Sequence, residues 1–252
     1  MRAILTYHSI DTSGSPISVH PEAFDRHIAW LRSGRVRVTT IHQLIALPAG
    51  EDAVAITFDD GFATFSDVAA PRLLSHGLPV TLFVVSDHVG GTNAWNRRID
   101  RGIPHLPLLG WPALARLREQ GVTLGAHGRT HVDLTRLDRA AVEDEMRGSA
   151  DTIERETGIR PDTFAYAYGR TNASVCDIAA SSFRYACTTE FETLAERVVP
   201  AQLPRLDMYY FQRSDRLDQW GSPPFVRFVN FRNRIRRVRE TLVSPSRWHA
   251  RL

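Results

Sequence analysis

Ala53-Val54-Ala55-Ile56-Thr57-Phe58-Asp59-Asp60-Gly61 is a six-residue apolar and β-branched run that leads directly into two carboxylates and a glycine. Such a run reads as a strand covered on both faces, as parallel strands are. Its polar end falls where open-sheet and barrel enzymes keep their chemistry, just beyond the strand. Outward from it the same alternation repeats. Ala3 to Tyr7 reads as a strand, and Pro21 to Arg32 has helical spacing through Phe24, Ile28 and Leu31. Further strands are expected at Val80 to Val85, Val122 to Ala126, Thr163 to Tyr166 and Tyr185 to Thr188. Helices are expected at Val68 to His76, Pro112 to Gln120, Ala140 to Thr157 and Thr171 to Ser182. Strands alternating with helices predict an α/β chain built on a parallel sheet or barrel.

The 252 residues suit one large domain, with no repeat, low-complexity tract or obvious linker. At 43% hydrophobic and 23% charged, the composition excludes collagen, a long coiled coil and wholesale disorder. A balance of 31 basic against 28 acidic residues gives no reason to expect a nucleic-acid partner. Every basic residue is arginine. Without a lysine amine, Schiff-base chemistry, a P-loop and pyridoxal attachment are all excluded. Cys176 and Cys187 are too few for a disulfide framework or a cysteine-rich zinc site and read as free thiols.

The first apolar stretch is shorter than a signal core, and no run approaches the roughly 18 apolar residues of a membrane span. The expected location is cytoplasmic. From Phe225 the residues Phe228, Phe231, Ile235, Val238 and Leu242 recur at helical spacing among Arg227, Arg232, Arg234, Arg236, Arg237 and Arg239. We therefore expect a domain over 1–224 and a basic amphipathic helix and tail over 225–252. Residues 225–242 are a candidate peripheral contact with an anionic inner membrane face. The plainer reading is a solvated helix face.

Three strand ends carry chemistry. Asp59 and Asp60 repel one another and invite a cation, while Gly61 permits the sharp turn. His127 and His131, four apart after the strand ending at Ala126, reach one ion if the segment turns helically. Two imidazoles and one carboxylate match the ligand set of hydrolytic zinc sites and also suit cobalt, nickel or manganese. One aspartate can then bind metal while its neighbour takes a proton from the attacking water. His8 ends the first strand and could serve as general acid. Taken singly, each has a plain counterpart: a solvated Asp-Asp-Gly turn, a histidine pair without metal, a histidine buried in the core. Their conjunction at strand ends is what points to a metallohydrolase. Trp95, Trp111 and Trp220 are candidate sugar platforms or core residues.

These motifs resemble those of the polysaccharide deacetylases, the NodB-like carbohydrate esterases of family four. Thr57-Phe58-Asp59-Asp60-Gly61 is similar to the family's first motif throughout, and His127-Gly128-Arg129-Thr130-His131 to its second. The resemblance covers roughly Ile4 to Thr188. It implies a distorted, incomplete (β/α) barrel, Asp59 as catalytic base, and Asp60, His127 and His131 as metal ligands. It also implies hydrolysis of N-acyl groups, mostly acetyl, from amino sugars. In the third motif Tyr168 and Gly169 match, which puts the Tyr168 backbone N–H at the oxyanion, but Ala165 and Ala167 replace the family's arginine and proline. Arg205, in Leu203-Pro204-Arg205-Leu206-Asp207, is a candidate to supply the missing guanidinium. The family's C-terminal histidine motif is absent after Thr188. Leu5-Thr6-Tyr7-His8 instead resembles the permuted arrangement of the biofilm poly-N-acetylglucosamine deacetylases, which assigns the general acid to His8, with Asp207 as a candidate to orient it.

The expected function is therefore metal-dependent N-deacetylation of an amino-sugar glycan or glycolipid precursor. One alternative keeps the chemistry and removes formyl from a lipid-linked formamido sugar. The other is a glycan-binding protein on a degenerate deacetylase fold, against which the intact aspartate pair argues. Sequence does not define the oligomeric state.

Overall fold

The computed structural model describes residues 1–48, 50–95, 102–213 and 216–242, without the side chains of 237 and 239–242. The strands are β1 (Arg2–Tyr7), β2 (Ser9–Ile10), β3 (Ser18–Val19), β4 (Arg37–Thr39), β5 (Ala53–Phe58), β6 (Val80–Val84), β7 (Thr123–Ala126), β8 (Thr163–Ala165), β9 (Tyr185–Cys187) and β10 (Leu206–Asp207). The helices are α1 (Pro21–Leu31), α2 (Ile41–Ala46), α3 (Ala70–Leu74), α4 (Trp111–Glu119), α5 (Arg139–Glu143), α6 (Ser149–Thr157), α7 (Ala173–Ser182) and α8 (Pro223–Leu242). The main sheet runs β10-β1-β5-β6-β7-β8-β9, with β4 also paired to β5, and all its ladders are parallel. Curled and covered by helices, it is the distorted, incomplete (β/α) barrel expected from the sequence.

Alternation along the strands divides the core into two layers. Leu5, Val54, Ile56, Leu82, Val84 and Phe164 pack outward with the helices, whereas Ile4, Ala55, Phe83, Ala165 and Cys187 gather on the other face. That inner face is crowded. A Cβ at Gly125 would stand 2.4 Å from the Phe83 ring and 2.9 Å from Thr163 Oγ1, so only glycine admits the phenyl group there.

The last part of the sheet bridges its edges. Leu203 pairs with Cys187 of β9, and directly after Arg205 the chain is already paired with β1, with Leu206 opposite Leu5 and Asp207 opposite Thr6. This closing segment holds the inner face together and carries Arg205 across it.

The expected long helix over 140–157 is interrupted. A π-helical turn over Asp144–Gly148 separates α5 from α6, and Gly158 ends α6 at φ 77°. Helix α8 buries Phe225 and Val229 in the main core, Arg232 lies over the Tyr210 ring, and Arg236 pairs with Asp207. The apolar series read from the sequence is thus divided: Phe228 packs partly against the core, while Phe231 is 63% exposed. The tail expected over 243–252 lies outside the described residues. Among the described residues, no helix is long and apolar enough to cross a membrane.

Candidate active site

His8, the aspartate pair and the histidines lie beyond the C-terminal ends of β1, β5 and β7. The β1–β5 register places Tyr7 opposite Phe58, and the Asp59 N–H donates to the Tyr7 carbonyl at 2.9 Å, which sets His8 beside Asp59. After Phe58 the chain turns within three residues: the Gly61 N–H donates to the Asp59 carbonyl at 2.9 Å, and Asp60 sits at φ 72°. That reversal separates two consecutive carboxylates. Among the described residues, the non-glycine residues with left-handed backbone are Asp60, His131 (φ 57°) and Tyr168 (φ 59°), all lining one pocket. Each such residue costs about 1–3 kcal/mol, a strain that collects where geometry matters for function.

Asp60, His127 and His131 form one cluster, their ligand-type atoms all within 4.8 Å of one another. Nε2 of each histidine lies 3.4 Å from Asp60 Oδ1. That oxygen is buried without a hydrogen-bond partner, the condition a cation would relieve. The His127 Nδ1–H donates to the Ala165 carbonyl at 2.7 Å, which leaves Nε2 bare toward Asp60. Burial, reinforced by the neighbouring His127, pushes His131 down to about 3 against the pull of Asp60, so its ring is neutral at neutral pH. Burial alone would lower His127 too, but the adjoining carboxylates of Asp60 and Asp59 raise it. The donor set fits a divalent ion: one carboxylate and two imidazoles, with room left for water and substrate.

Asp59 is held differently. Arg205 Nη1 donates to Oδ1 and Nη2 to Oδ2, both at 2.7 Å, while Arg205 Nε donates to the Thr188 carbonyl at 2.9 Å. Burial would raise the Asp59 carboxyl, but the Arg205 guanidinium, followed by His127 and His8, holds it well below the usual carboxylate range. The closing segment thus brings to Asp59 a guanidinium that the third motif does not supply. His8 Nε2 lies 3.8 Å from Asp59 Oδ2, beyond direct hydrogen-bond length.

The pocket, about 230 Å3, is lined by His8, Asp59, Asp60, His127, His131 and Tyr168, with Trp95, Asn93, His105 and Thr189 among the remaining walls. Trp95 lies 4.4 Å from the His131 ring, and Tyr168 4.8 Å from it on centroids. Gly169 (φ 68°) is a tight backbone approach: a Cβ there would fall 2.0 Å from Thr189 Oγ1. Trp111 and Trp220 pack against the core. Asp207 is not among the lining residues; its carboxylate accepts the Tyr209 N–H at 3.0 Å and pairs with Arg236 at 3.6 Å. Sequence reasoning missed Asn93, His105 and Thr189, which sit in irregular chain with no periodic signal. It also missed Glu145, which is buried beside Met146 in the Asp144–Gly148 turn.

A family model described as polysaccharide deacetylase matches residues 46–184. Among curated proteins, "Putative polysaccharide deacetylase YxkH" of Bacillus subtilis is 24% identical over 193 residues, which is 74% of this chain and 64% of that protein. The poly-beta-1,6-N-acetyl-D-glucosamine N-deacetylase of Staphylococcus epidermidis is 31% identical over 83 residues, 31% of this chain and 29% of its own length. The chain thus matches less than two thirds of the length of either relative. The Streptococcus pyogenes deacetylase PplD, solved in complex with acetate, superposes with a TM-score of 0.70 at 20% identity, covering 90% of this chain and 96% of that one. At that identity the likeness establishes the fold.

Proposed function

The chain belongs to the polysaccharide deacetylase family, and from that membership we propose that it is a metal-dependent hydrolase removing N-acetyl groups from an amino-sugar glycan or glycolipid. The observation that carries this reading is the division between neighbouring aspartates. Asp60 presents an unpartnered oxygen to two imidazoles, while Asp59 is locked by a buried guanidinium.

A divalent ion, zinc first and cobalt, nickel or manganese as alternatives, would be held by Asp60, His127 and His131 and would supply Lewis-acid polarisation of the acyl carbonyl. Asp59, kept ionised and fixed in direction by Arg205, takes the proton of the attacking water. Arg205 occupies one lone pair on each carboxylate oxygen, so one on each remains for that proton. His8, on the neighbouring strand end, gives a proton to the departing amine. Tyr168, held at positive φ on the pocket wall, is assigned the oxyanion contact through its backbone N–H.

The test is metal content after purification without chelator, together with acetate and formate release from N-acyl sugars, for the wild type and His127→Ala. The expected result is one metal per chain and acetate release, both lost in the variant. Formate release would move the assignment to the formyl alternative. A wild type that takes up no metal even after reconstitution would return the chain to the glycan-binding reading.

The outer face of α8 supports a peripheral contact with an anionic membrane, because Phe231 stands out beside exposed Arg227 and Arg234 and no acidic residue occurs from Pro223 to Arg239. Since Phe225 and Val229 belong to the core, point changes are a cleaner probe than truncation. Equal sedimentation with anionic vesicles by wild type and a Phe231→Ser, Arg227→Ser, Arg234→Ser variant would remove this contact from the reading.

A further inference from the structure

Between His127 and His131 the chain makes a turn whose amides need acceptors, and they find one carboxylate. Glu145 Oε2 accepts the backbone N–H of Arg129 at 2.8 Å and of Thr130 at 3.1 Å, and Oε1 accepts the Thr130 hydroxyl at 2.6 Å. Glu145 is only 7% exposed, and among the described residues no basic side chain pairs with it. A buried carboxylate without a counter-ion is costly unless hydrogen bonds hold it. Here the hydrogen bonds all come from Arg129 and Thr130, two of the three residues between the histidines.

The surroundings are fitted to this contact. Glu145 lies in the π-helical turn that interrupts the helix, a feature that recurs at functional sites. Ser149 Oγ donates to the Gly128 carbonyl at 3.0 Å, tying the same loop one turn further along. A Cβ at Gly128 would stand 3.0 Å from Glu145 Oε2, and one at Gly148 would stand 2.9 Å from Arg129 Cδ. Glycines on both sides let helix and loop meet. The loop then ends at His131 in the left-handed region, a conformation that its surroundings must impose.

We propose that Glu145 is the positioning residue of the metal-ligand loop: its carboxylate closes the turn between the two histidines, so that both imidazoles already face Asp60 before an ion arrives. This rests on the metal-dependent reading above and adds to it the residue that presets the site. Glu145 touches neither the reacting atoms nor the ion and acts through the loop backbone. Glutamine at this position would preserve most of the contact, since its carbonyl accepts both amides and its NH2 can be met by the Thr130 hydroxyl. Alanine leaves the amides without an acceptor, and aspartate withdraws the carboxylate by one methylene.

The test is titration of the folded protein with cobalt(II) and, by chelator competition, with zinc, for wild type, E145A, E145D and E145Q, read by the cobalt absorption spectrum. The expected result is affinity reduced roughly 10–100-fold in E145A, in the range seen when the residues that orient metal ligands are removed. E145D should also be weakened, both with an altered cobalt spectrum, and E145Q should return to within a few-fold of wild type with the wild-type spectrum. If E145A does not fold, the E145D and E145Q pair carries the test. A residue that merely supports the fold would lower the melting temperature and leave affinity and spectrum unchanged, and that result would overturn the proposal while the metal reading stood. A wild type that binds neither metal would overturn the metal reading and this proposal with it.

Discussion

The pocket has two walls, assembled in opposite ways. The wall of Asp60, His127 and His131 comes from two short contiguous motifs at the ends of β5 and β7, and it leaves a carboxylate oxygen unpartnered. The wall of Asp59 and His8, backed by Arg205, draws on β1, β5 and the closing segment, with Arg205 146 residues from Asp59, and both oxygens of the Asp59 carboxylate are engaged. Adjacent side chains of the same chemistry thus receive different tasks from backbone direction and partners alone. One wall leaves a carboxylate oxygen open; the other is complete and holds its carboxylate in place.

The comparison is sharpest at the aspartates. Asp59→Asn should lower turnover by roughly 10^2–10^4-fold, the range for loss of a general base, with metal stoichiometry intact, whereas Asp60→Asn should lose metal as well. Metal analysis beside acyl release checks both. If Asp59→Asn emptied the site, the two walls would not be separate.

Arg205 gives the next effect. Arg205→Ala leaves Asp59 buried and unpaired, at a cost of about 3–5 kcal/mol in denaturant unfolding. Arg205→Lys keeps a charge but loses the bidentate fork. Because Arg205 holds the Asp59 carboxyl down, its replacement should let that value rise. The base must be ionised, so the acid limb of the pH–rate profile should move to higher pH.

The smallest effect lies behind the base wall. Tyr7, the residue before His8, hydrogen-bonds His27 Nδ1 at 3.1 Å, and His27 Nε2–H donates to the Phe211 carbonyl at 3.0 Å. Burial pushes His27 down to about 4. The unfolded chain, with an ordinary histidine near 6.5, binds the proton first as pH falls. The stability His27 confers is therefore full above about pH 6.5 and is lost progressively toward pH 4, by about 1–3 kcal/mol. Thermal melts across that window should slope less steeply in His27→Gln than in wild type.

The same contrast explains what the sequence disclosed. Long apolar strands such as Ala53–Phe58 and Val80–Val84 were legible because burial on both faces leaves an unbroken run. The wall of Asp60, His127 and His131 was legible because its residues follow the strands Ala53–Phe58 and Thr123–Ala126 closely. Strand β4 and helix α2 were missed because three and six residues carry little periodicity, although Thr40 and Gln43 form a capping box that was there to be read. The two-residue β10 has no pattern at all, so Arg205 could be nominated only by residue type and its task visible only in three dimensions. The π-helical turn at Asp144–Gly148 answers to packing against the histidine loop, which local sequence does not encode.

The closing segment also bears on the order in which the molecule comes together. Until residues 203–207 lie between β9 and β1, Asp59 has no guanidinium, and the inner face around Phe83 and Ala165 lacks Leu203. A growing chain can therefore form most of its sheet and both strand-end motifs while Asp59 is still an uncompensated charge with every reason to stay hydrated. The site should be complete only once one short strand has docked, so that a single packing event supplies the buried partner of Asp59.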